Sequence, residues 1–572
     1  MRLQISKSKN AESFYVVKSV YVDGKRTNKV HKKLGTYVEL KAKLGTEDPY
    51  EWAKNYVKEL NRLEEEGKEP EVIAKYSPHK VIDKDKQRSF NIGYLFLQKI
   101  YHQLGLDKVC REISKKYKFE YDLNSIFSRL IYSRILAPSS KLSTFEYASR
   151  FLEQPNFDLH QIYRGLEVIA QESKFIQSRI YENSITFSKR NTAILYYDCT
   201  NYFFEIEQSD GLKQYGVSKD HKPNPIVQMG LFIDGDGVPL AFNISDGNTN
   251  EQLTLRPLEE TILNDFKLSK FVVCTDAGLA SLSNRKYNDR GNRAFVTTQS
   301  IKKLKKFLRD WALDPKGWRL TNSLAAYNLQ EIDESKHYDS IFYKERWIKE
   351  DGLEQRLIIT YSIKYRNYTR GIRNSHISRA INLISKHPAA VNASRSTDYK
   401  RFVKKTSITG DGEVAERNLF AIDEDLIEKE AMYDGFYAVC TNLEDNAQTI
   451  ANINKQRWKI EECFRILKSE FKARPVYLQR DDRITAHFTT CFVSLVIYRL
   501  LEKKLKEQFT CSTIIDTLKE MDVKEVSGEG YEPIYTRTDF TDTLHEIYGF
   551  RTDYEITTLK QIKKIMRETK KQ

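Results

Sequence analysis

The stretch AILYYD at residues 193–198 decides the fold class. It is a continuous apolar run that ends in an aspartate, and FVVCTD at 271–276 repeats the same design. Short continuous apolar runs are typical of strands that are buried on both faces. Because the segment 253–268 between them is helical in pattern, we predict an α/β sheet in which Asp198 and Asp276 follow the ends of two strands.

Length, hydrophobic content and net charge narrow the kinds of function that this chain can have. The chain has 572 residues, enough for about three or four domains, and its 40% of hydrophobic residues supply a large core. With 93 Lys and Arg against 79 Asp and Glu, the net charge is +14. A basic balance of this size points to a polyanion, either nucleic acid or an anionic membrane. The most apolar run, 488–501, is too short to span a bilayer, so we expect a buried core helix and no membrane partner.

The sequence shows none of the motifs for secretion, for cysteine-based sites or for nucleotide-phosphate binding. The N-terminus has no apolar segment, and we therefore expect no secretory signal. Seven cysteines are spread along the chain without any C-x-x-C pair, which is typical of reduced intracellular thiols and excludes a zinc site or a disulfide framework. The phosphate-binding glycine loops of motor and dinucleotide enzymes are also missing.

The first 41 residues carry half of the net charge and predict a β-hairpin that turns at Asp23-Gly24. The cations of its return strand are Lys25, Arg26, Lys29, Lys32 and Lys33. They form either a solvated face or a DNA-contacting ribbon. Their clustering, without alternating acidic residues, favours the DNA-contacting ribbon.

The rest of the chain alternates between helical and strand-like sequence patterns. Residues 90–188 have helical apolar spacing and predict an all-helical unit, which is either a plain bundle or a surface that docks on duplex DNA. Residues 301–430 are strand-like and basic, and we predict an insertion with a small β-rich core of its own. Further helices are expected over 449–471, 483–506 and 555–572.

Asp198 and Asp276 have two interpretations. Each aspartate taken alone suits a turn or a helix cap. Active sites, however, collect at strand ends in open α/β sheets. Carboxylates that meet there cannot both stay charged without a cation, and Mg²⁺ or Mn²⁺ is the natural choice for oxygen ligands.

The helical segment NKQRWKIEECFRILK at 454–468 is more specific. Its residues Arg457, Glu461 and Lys468 are spaced i, i+4 and i+11, nearly one stripe of a helix. Such a stripe forms either a surface ladder of ion pairs or one carboxylate flanked by two cations. The second arrangement suits a metal site that holds a phosphodiester.

This segment resembles the Y-x-x-R-x-x-x-E-x-x-x-x-x-x-K signature of bacterial insertion-sequence transposases of the DDE class. Other blocks of that family follow in order over about 190–500. DCTNYFFE at 198–205 resembles the first aspartate block, and TDAGLAS at 275–281 resembles the second. The stretches 216–223, 237–240 and 247–249 resemble its central strands, and 474–477 with 484–487 match the region past the glutamate.

The resemblance implies an α/β catalytic core with an RNase H-like mixed sheet flanked by helices. It implies that Asp198, Asp276 and Glu461 bind two Mg²⁺ or Mn²⁺ ions, and that Arg457 and Lys468 contact DNA phosphates. The family tyrosine three residues before the arginine is Asn454 here, which removes the ring. A hairpin intermediate would need a ring for a flipped base, and Trp347 or Trp318 could supply it unless they are core residues.

Six regions are therefore expected. They are a basic β-hairpin and helix region at 1–84, an α-helical DNA-end-binding domain at 85–190, the first core half with both aspartates at 191–300, a β-rich insertion at 301–430, the second core half at 431–508, and a C-terminal helical region at 509–572 that serves dimer contacts. The expected partners are double-stranded DNA, as terminal inverted repeats and target, and a second copy of the chain in a synaptic complex. The expected location is the bacterial cytoplasm, at the nucleoid.

Three functions remain open from the sequence. The first is a transposase that cleaves DNA at inverted-repeat ends and transfers the strand into a target. The second is a metal-dependent nuclease without a joining step, and the third is a DNA-binding protein that has lost catalysis. The presence of Asp198, Asp276 and Glu461 argues against the third.

Overall fold

The computed structural model describes residues 1–8, 11–22, 25–45, 48–67, 78–321, 323, 325–386, 398–408, 417–526 and 529–571. They form two compact units, Met1–Lys84 and Asp85–Gln572. The finer division into six regions remains a prediction. We describe the two units separately.

The first unit is a three-stranded antiparallel sheet with two helices. Its elements are β1 (Arg2–Lys7), β2 (Glu12–Val22), β3 (Lys25–Thr36), α1 (Tyr37–Leu44) and α2 (Pro49–Gly67). The strand order is β1-β2-β3, and the β2–β3 pairing runs from Ser13 opposite Thr36 to Val22 opposite Lys25. The predicted turn at Asp23-Gly24 lies outside the described residues. Helix α1 starts where Thr36 and Glu39 form a reciprocal capping box.

The second unit contains the remaining strands and helices. The strands are β4 (Ser89–Asn91), β5 (Ile194–Phe203), β6 (Ile226–Asp234), β7 (Pro239–Asp246), β8 (Phe271–Thr275), β9 (Arg293–Gln299), β10 (Phe342–Glu350), β11 (Leu353–Tyr361), β12 (Val403–Ile408), β13 (Arg417–Ile422), β14 (Phe436–Thr441), β15 (Asp522–Val526), β16 (Gly530–Pro533) and β17 (Thr557–Thr558). The helices before the last strand of the large sheet are α3 (Tyr94–Gln103), α4 (Leu106–Lys116), α5 (Leu123–Leu136), α6 (Lys141–Ala148), α7 (Leu159–Gln171), α8 (Ser173–Phe187), α9 (Leu255–Asn264), α10 (Leu282–Asn288), α11 (Lys306–Leu313), α12 (Ile363–Lys386) and α13 (Glu424–Ala431). The helices after it are α14 (Ala447–Lys455), α15 (Trp458–Arg465), α16 (Asp481–Lys504), α17 (Cys511–Glu520), α18 (Asp539–Tyr548) and α19 (Leu559–Thr569).

A large mixed sheet organises the second unit. Its eight strands lie in the order β10-β11-β14-β9-β8-β5-β6-β7. The central strands β9, β8 and β5 are parallel, whereas the other pairs are antiparallel. The mixed α/β architecture predicted from the sequence is therefore present, with helices on the sheet.

Strand β5 shows how both faces of this sheet are buried. Leu195 and Tyr197 belong to a core that includes residues of α9, whereas Tyr196 and Tyr202 belong to a core that includes residues of α15 and α16. Side chains alternate between the faces of a strand. Asp198 therefore lies on the face of Tyr196 and Tyr202, which is the face that α15 covers.

Helix α16 is the centre of the helical layer. It packs against α3, α5, α7 and α8 as well as against β7. It is long and apolar enough to cross a membrane by length and composition, but 94% of its most apolar stretch is buried inside the protein. Its composition is thus accounted for by packing, because helices surround it. All seven cysteines lie in the described chain, and each is buried and free of a disulfide.

The structure differs from the sequence predictions in several places. Strand β5 continues past Asp198 to Phe203, since it forms a long antiparallel pair with β6. Residues 216–223, which resemble a strand block of the family, lie in the connection between β5 and β6. The helix expected over 449–471 is divided into α14, α15 and a π-helical turn at Ile466–Glu470.

The insertion also differs from the expected separate core. Strands β10 and β11 extend the large sheet, because β11 pairs with β14 along six residues. Their apolar side chains pack with Phe295 of β9 and Cys440 of β14 in one cluster. Only β12 and β13 form a small sheet of their own among the described residues of this segment.

Candidate active site

Two aspartates lie on neighbouring parallel strands of the large sheet. In the β5–β8 pair Tyr196 lies opposite Cys274, and continuing this register by two residues sets Asp198 beside Asp276. Cys274 belongs to the same core as Tyr196, so alternation places both carboxylates on the face that α15 covers. The structure thus brings together two of the three carboxylates predicted from the sequence.

The protein environment shifts the pKa of Asp198. Burial raises the pKa of Asp198 to about 6, an effect that the positive charge of Lys219 opposes and the charge of Asp276 strengthens. Its Oδ1 accepts a hydrogen bond of 2.7 Å from the Cys199 amide, and Asp276 Oδ1 accepts one of 3.0 Å from the Leu279 amide. Paired carboxylates in such a place favour a cation between them.

Lys219 supplies a positive charge from the connection between β5 and β6. Its Nζ lies 3.0 Å from Glu251 Oε1 and donates to the Cys199 carbonyl. Asn201 Oδ1 holds the backbone by accepting a 3.1 Å bond from the Lys219 amide. Burial opposes the charge of Lys219, but Asp198 and Glu251 outweigh this effect and raise its pKa. Sequence reasoning missed this lysine, because nothing in its spacing shows that the connection folds back onto β5.

Arg457 reaches the same face of the sheet from the start of α15. Its Nη1 donates a 3.3 Å hydrogen bond to Thr298 Oγ1 on β9, and its Nη2 lies 3.6 Å from Glu461 Oε1. The side chain is 16% exposed, and its positive charge acts on Asp198 against the effect of burial. A partly exposed arginine at this position can hold a phosphate oxygen near the two aspartates.

Glu461 does not join the two aspartates in this structure. Its side chain is 65% exposed and is paired with Arg457 one turn earlier. In the described part of the chain, no three His, Cys, Asp or Glu side chains lie close enough together to hold a metal ion. The convergence expected for Asp198, Asp276 and Glu461 is therefore seen for the first two only.

A cleft opens beside Glu461. It has a volume of about 710 Å³ and is lined by Glu461, Arg457, Trp458, Tyr365 and Tyr368, among others. Trp458 is 51% exposed and Tyr368 is 64% exposed, so both rings are available to a planar partner. The rings that the sequence suggested for this purpose lie elsewhere. Trp318 is fully buried and donates to the Asp314 carbonyl at 2.8 Å, as a core residue does, and Trp347 is half-exposed on β10.

Lys468 is not free to contact a phosphate in this structure. Its Nζ lies 3.6 Å from Asp220 Oδ2, and Arg474 pairs with the same carboxylate. The π-helical turn lowers the rotation per residue between Glu461 and Lys468, so the predicted stripe is not a straight one. Burial lowers the pKa of Lys468, and the charge of Asp220 opposes that shift.

Asn454 occupies the place of the family tyrosine. Its Nδ2 donates a 2.9 Å hydrogen bond to the Tyr437 hydroxyl, and its Oδ1 accepts one of 3.3 Å from Thr298 Oγ1. The residue is buried. Its amide therefore links α14 to β9 and β14.

The basic strand β3 belongs to the first unit. Lys29, Lys32 and Lys33 are exposed, and Lys32 Nζ donates a 2.6 Å hydrogen bond to the Tyr56 hydroxyl of α2. The side chains of Lys25 and Arg26 lie outside the described part of the structure. The exposed lysines present positive charge on one strand of a small sheet.

Comparison with known proteins places this geometry in a family. The model of the transposase DDE domain matches residues 203–497, which is more than half of the chain. The chain belongs to the transposase DDE domain family. The matched range contains Asp276 and Glu461 and begins just after Asp198, on the same strand β5.

Other comparisons with this DDE-domain chain are more distant. No curated protein matches it. Among solved structures, the cryo-EM structure of a piggyBac transposase synaptic complex with hairpin DNA is similar over 76% of this chain and 82% of that chain, with a TM-score of 0.37 and 8% sequence identity. We assign no residue from that likeness.

Proposed function

We propose that this chain cleaves DNA strands at the inverted-repeat ends of an insertion element and joins the freed 3′ ends to a target. The observation that carries the proposal is the interacting pair Asp198 and Asp276, one within β5 and one just after its parallel neighbour β8, in a chain of the DDE domain family. Such carboxylates are a recurrent means of holding divalent cations for phosphoryl chemistry.

Asp198 and Asp276 fit a divalent ion, because they supply hard oxygen ligands and because burial of Asp198 still raises its pKa against the charges of Lys219 and Arg457. We propose Glu461 as the third ligand, since α15 packs against β5 and carries this residue one turn after Arg457. Two bound ions would activate water or a 3′-hydroxyl and stabilise the leaving oxygen.

Residues of the chain would position the DNA strand. Arg457, already held beside Asp198 by Thr298, would donate to a phosphate oxygen near the scissile bond. Lys219 would keep a positive charge next to the same carboxylates and limit their repulsion. The rings of Trp458 and Tyr368 would stack on a base that leaves the duplex, because stacking tolerates any base.

The partners follow from the same proposal. The exposed lysines of β3 and the helices at 85–190 would bind the inverted repeat, and the C-terminal region at 509–572 would contact a second copy of the chain. Since joining requires two element ends, we propose a dimer in a synaptic complex. We also propose that the protein acts in the cytoplasm, at the nucleoid.

Cleavage and joining of a labelled repeat-end duplex test the proposal. With Mg²⁺ the wild type should cleave and join, whereas Asp198→Asn, Asp276→Asn and Glu461→Gln should be inactive and still bind DNA. Glu462→Gln is the matched control, because Glu462 lies about 100° around α15 and is paired with Arg465 at 2.8 Å. Full activity in any of the first three variants would remove that carboxylate from the mechanism, and cleavage without joining would indicate a nuclease.

A second function has one observation in its favour. Glu461 is exposed and stays apart from the aspartates, as would suit a DNA-binding protein without catalysis. In that case the wild type would bind the repeat without cutting it in Mg²⁺ or Mn²⁺. The same assay therefore separates the two functions.

A further inference from the structure

A second cavity lies away from the two aspartates. It has a volume of about 360 Å³ and lies between the turn from α5 to α6 and the segment 472–478 that follows the π-helical turn. Its charged lining residues are all cations apart from one histidine, and they are Arg134, Lys141, Lys472 and Arg474. Its volume is within the range of small-ligand sites, about 300–1,000 Å³.

Lys141 is the central feature of this cavity. It is 6% exposed, at the first position of α6, and it makes no ion pair or hydrogen bond with any described residue. Its Nζ is not one of the fully enclosed unpaired atoms, so the ammonium is open to the cavity. A lysine that is mostly buried without a counter-charge is rare in proteins. Burial, together with the charge of Arg134, lowers the pKa of Lys141 to about 7.

The neighbouring groups do not neutralise this charge. Arg134 is buried, and its Nη1 and Nη2 donate to the carbonyls of Phe471 and Ser139 at 3.1 and 3.2 Å, which leaves Nε without a partner. His487 is buried against the same cavity. Burial and then the charges of Arg134 and Lys141 lower its pKa well below the usual value, so it adds no negative or positive charge.

The mouth of the cavity is open to a large partner. Lys472 is exposed and unpaired among the described residues, and Tyr477 is 71% exposed. Arg474 connects the cavity to the candidate active site, because it shares the carboxylate of Asp220 with Lys468. The cavity therefore adjoins the end of the glutamate helix, with Asp220 between Arg474 and Lys468.

We propose that this cavity, which we call the Lys141 pocket, binds a backbone phosphate of the DNA held by this chain. The ligand chemistry is a phosphate group that accepts from Lys141, with Arg134, Lys472 and the start of α6 adding positive potential. The inference rests on the proposed function in that it takes DNA as the source of the phosphate. Inorganic phosphate shares this chemistry and is the other source to be tested.

The first test compares Lys141→Met with the wild type as full-length chains. The affinity for a repeat-end duplex is measured over a salt series without divalent metal. Loss of one phosphate contact should make the slope of log affinity against log salt shallower by about one. The thermal midpoint without DNA should stay the same or rise, because the variant removes a buried charge that has no partner.

Lys344→Met is the matched control. Lys344 is equally buried, but it donates to the Asp314 carbonyl at 2.7 Å and lies outside the Lys141 pocket. This variant should lower the thermal midpoint and leave the salt slope unchanged. An unchanged slope in Lys141→Met, or a lower midpoint with an unchanged slope, would overturn the proposal in favour of a structural role.

The second test distinguishes the sources of phosphate. If inorganic phosphate raises the thermal midpoint of the wild type above that in chloride of equal ionic strength, and not that of Lys141→Met, the pocket also admits the free ion. If the DNA salt slope changes but inorganic phosphate does not raise the thermal midpoint, the pocket binds the phosphate of DNA and not the free ion. If Lys141→Met changes neither the DNA salt slope nor the response to phosphate, the Lys141 pocket proposal is overturned. If the wild type binds DNA but does not cleave it, only the proposed function is removed.

Discussion

Asp198 lies near enough to Asp276 for the charge of Asp276 to act on it, and extending the β5–β8 register two residues past Tyr196 and Cys274 sets the two residues side by side. Burial raises the pKa of Asp198 to about 6, with Asp276 adding to the shift against Lys219. Two acids held in this way store an electrostatic cost in the metal-free protein. That cost is the physical basis of the first prediction.

We expect Mn²⁺ or Mg²⁺ to stabilise the folded protein through these two residues. Metal at about 100 times its Kd should stabilise by about 2.7 kcal/mol. Asp198→Asn and Asp276→Asn should abolish the shift in thermal midpoint, whereas Asp246→Asn, an exposed aspartate of β7, should keep it. An equal shift in all variants would place the metal elsewhere.

Glu259 should make stability depend on pH. This residue of α9 is fully buried and accepts a 3.1 Å bond from Asn288, and burial raises its pKa to about 7 from 4.5. The folded state binds the carboxyl proton of Glu259 more tightly than the unfolded state does. Protonated Glu259 therefore stabilises the fold below pH 4.5, and this stabilisation is lost as the pH rises through 7. As the pH rises from 4.5 to 7, the unfolding free energy of Glu259→Gln should increase relative to that of the wild type by on the order of 3 kcal/mol.

Denaturant unfolding at a series of pH values measures this gain. Glu260→Gln, which changes the exposed neighbour, should follow the wild-type pH profile. Parallel curves for Glu259→Gln and wild type would show that Glu259 does not bind its proton more tightly in the folded state.

The Arg373–Asp434 pair should be important for stability of the insertion. Its two hydrogen bonds are 2.6 Å each, and both side chains are buried, joining α12 to the turn before β14. Asp434→Asn leaves the guanidinium without its counter-charge, and we expect a loss of about 3 kcal/mol in unfolding free energy. The control is Asp339→Asn, whose exposed pair with Lys364 on the same helix should contribute less than about 1 kcal/mol.

The exposed lysines of β3 should contribute to DNA affinity without sequence preference. A triple change of Lys29, Lys32 and Lys33 to Ala should weaken binding and reduce the salt slope by up to about three. Lys54→Ala with Lys58→Ala, exposed on α2 of the same unit, should have a smaller effect. Equal losses in both variants would indicate a general charge effect with no particular role for β3.

The sequence predicts the parts of this fold that depend on local patterns. The apolar runs before Asp198 and Asp276 form strands, and the run at 488–501 lies within the buried helix α16. The family blocks identify the same two aspartates, which the register of β5 and β8 sets side by side. These features could be predicted because periodicity and chain order encode them.

The features that depend on long-range packing could not be predicted. The charge of Lys219 acts on Asp198 because the connection between β5 and β6 folds back onto β5, where Asn201 accepts a bond from the Lys219 amide. The straight stripe from Arg457 to Lys468 assumes an uninterrupted α-helix, whereas the chain makes a tight turn before Trp458 and a π-helical turn after Arg465. The insertion was expected to fold apart, and no sequence pattern shows that β11 pairs with β14.

That pairing determines what happens when the insertion is removed. Strand β14 is now interior, with β11 on one side and β9 on the other. Excising β10 and β11 would leave the backbone amides and carbonyls of β14 without partners along the rim of the sheet, ready to recruit a strand from another molecule. A shortened chain would therefore self-associate, and the segment cannot be treated as a detachable cassette.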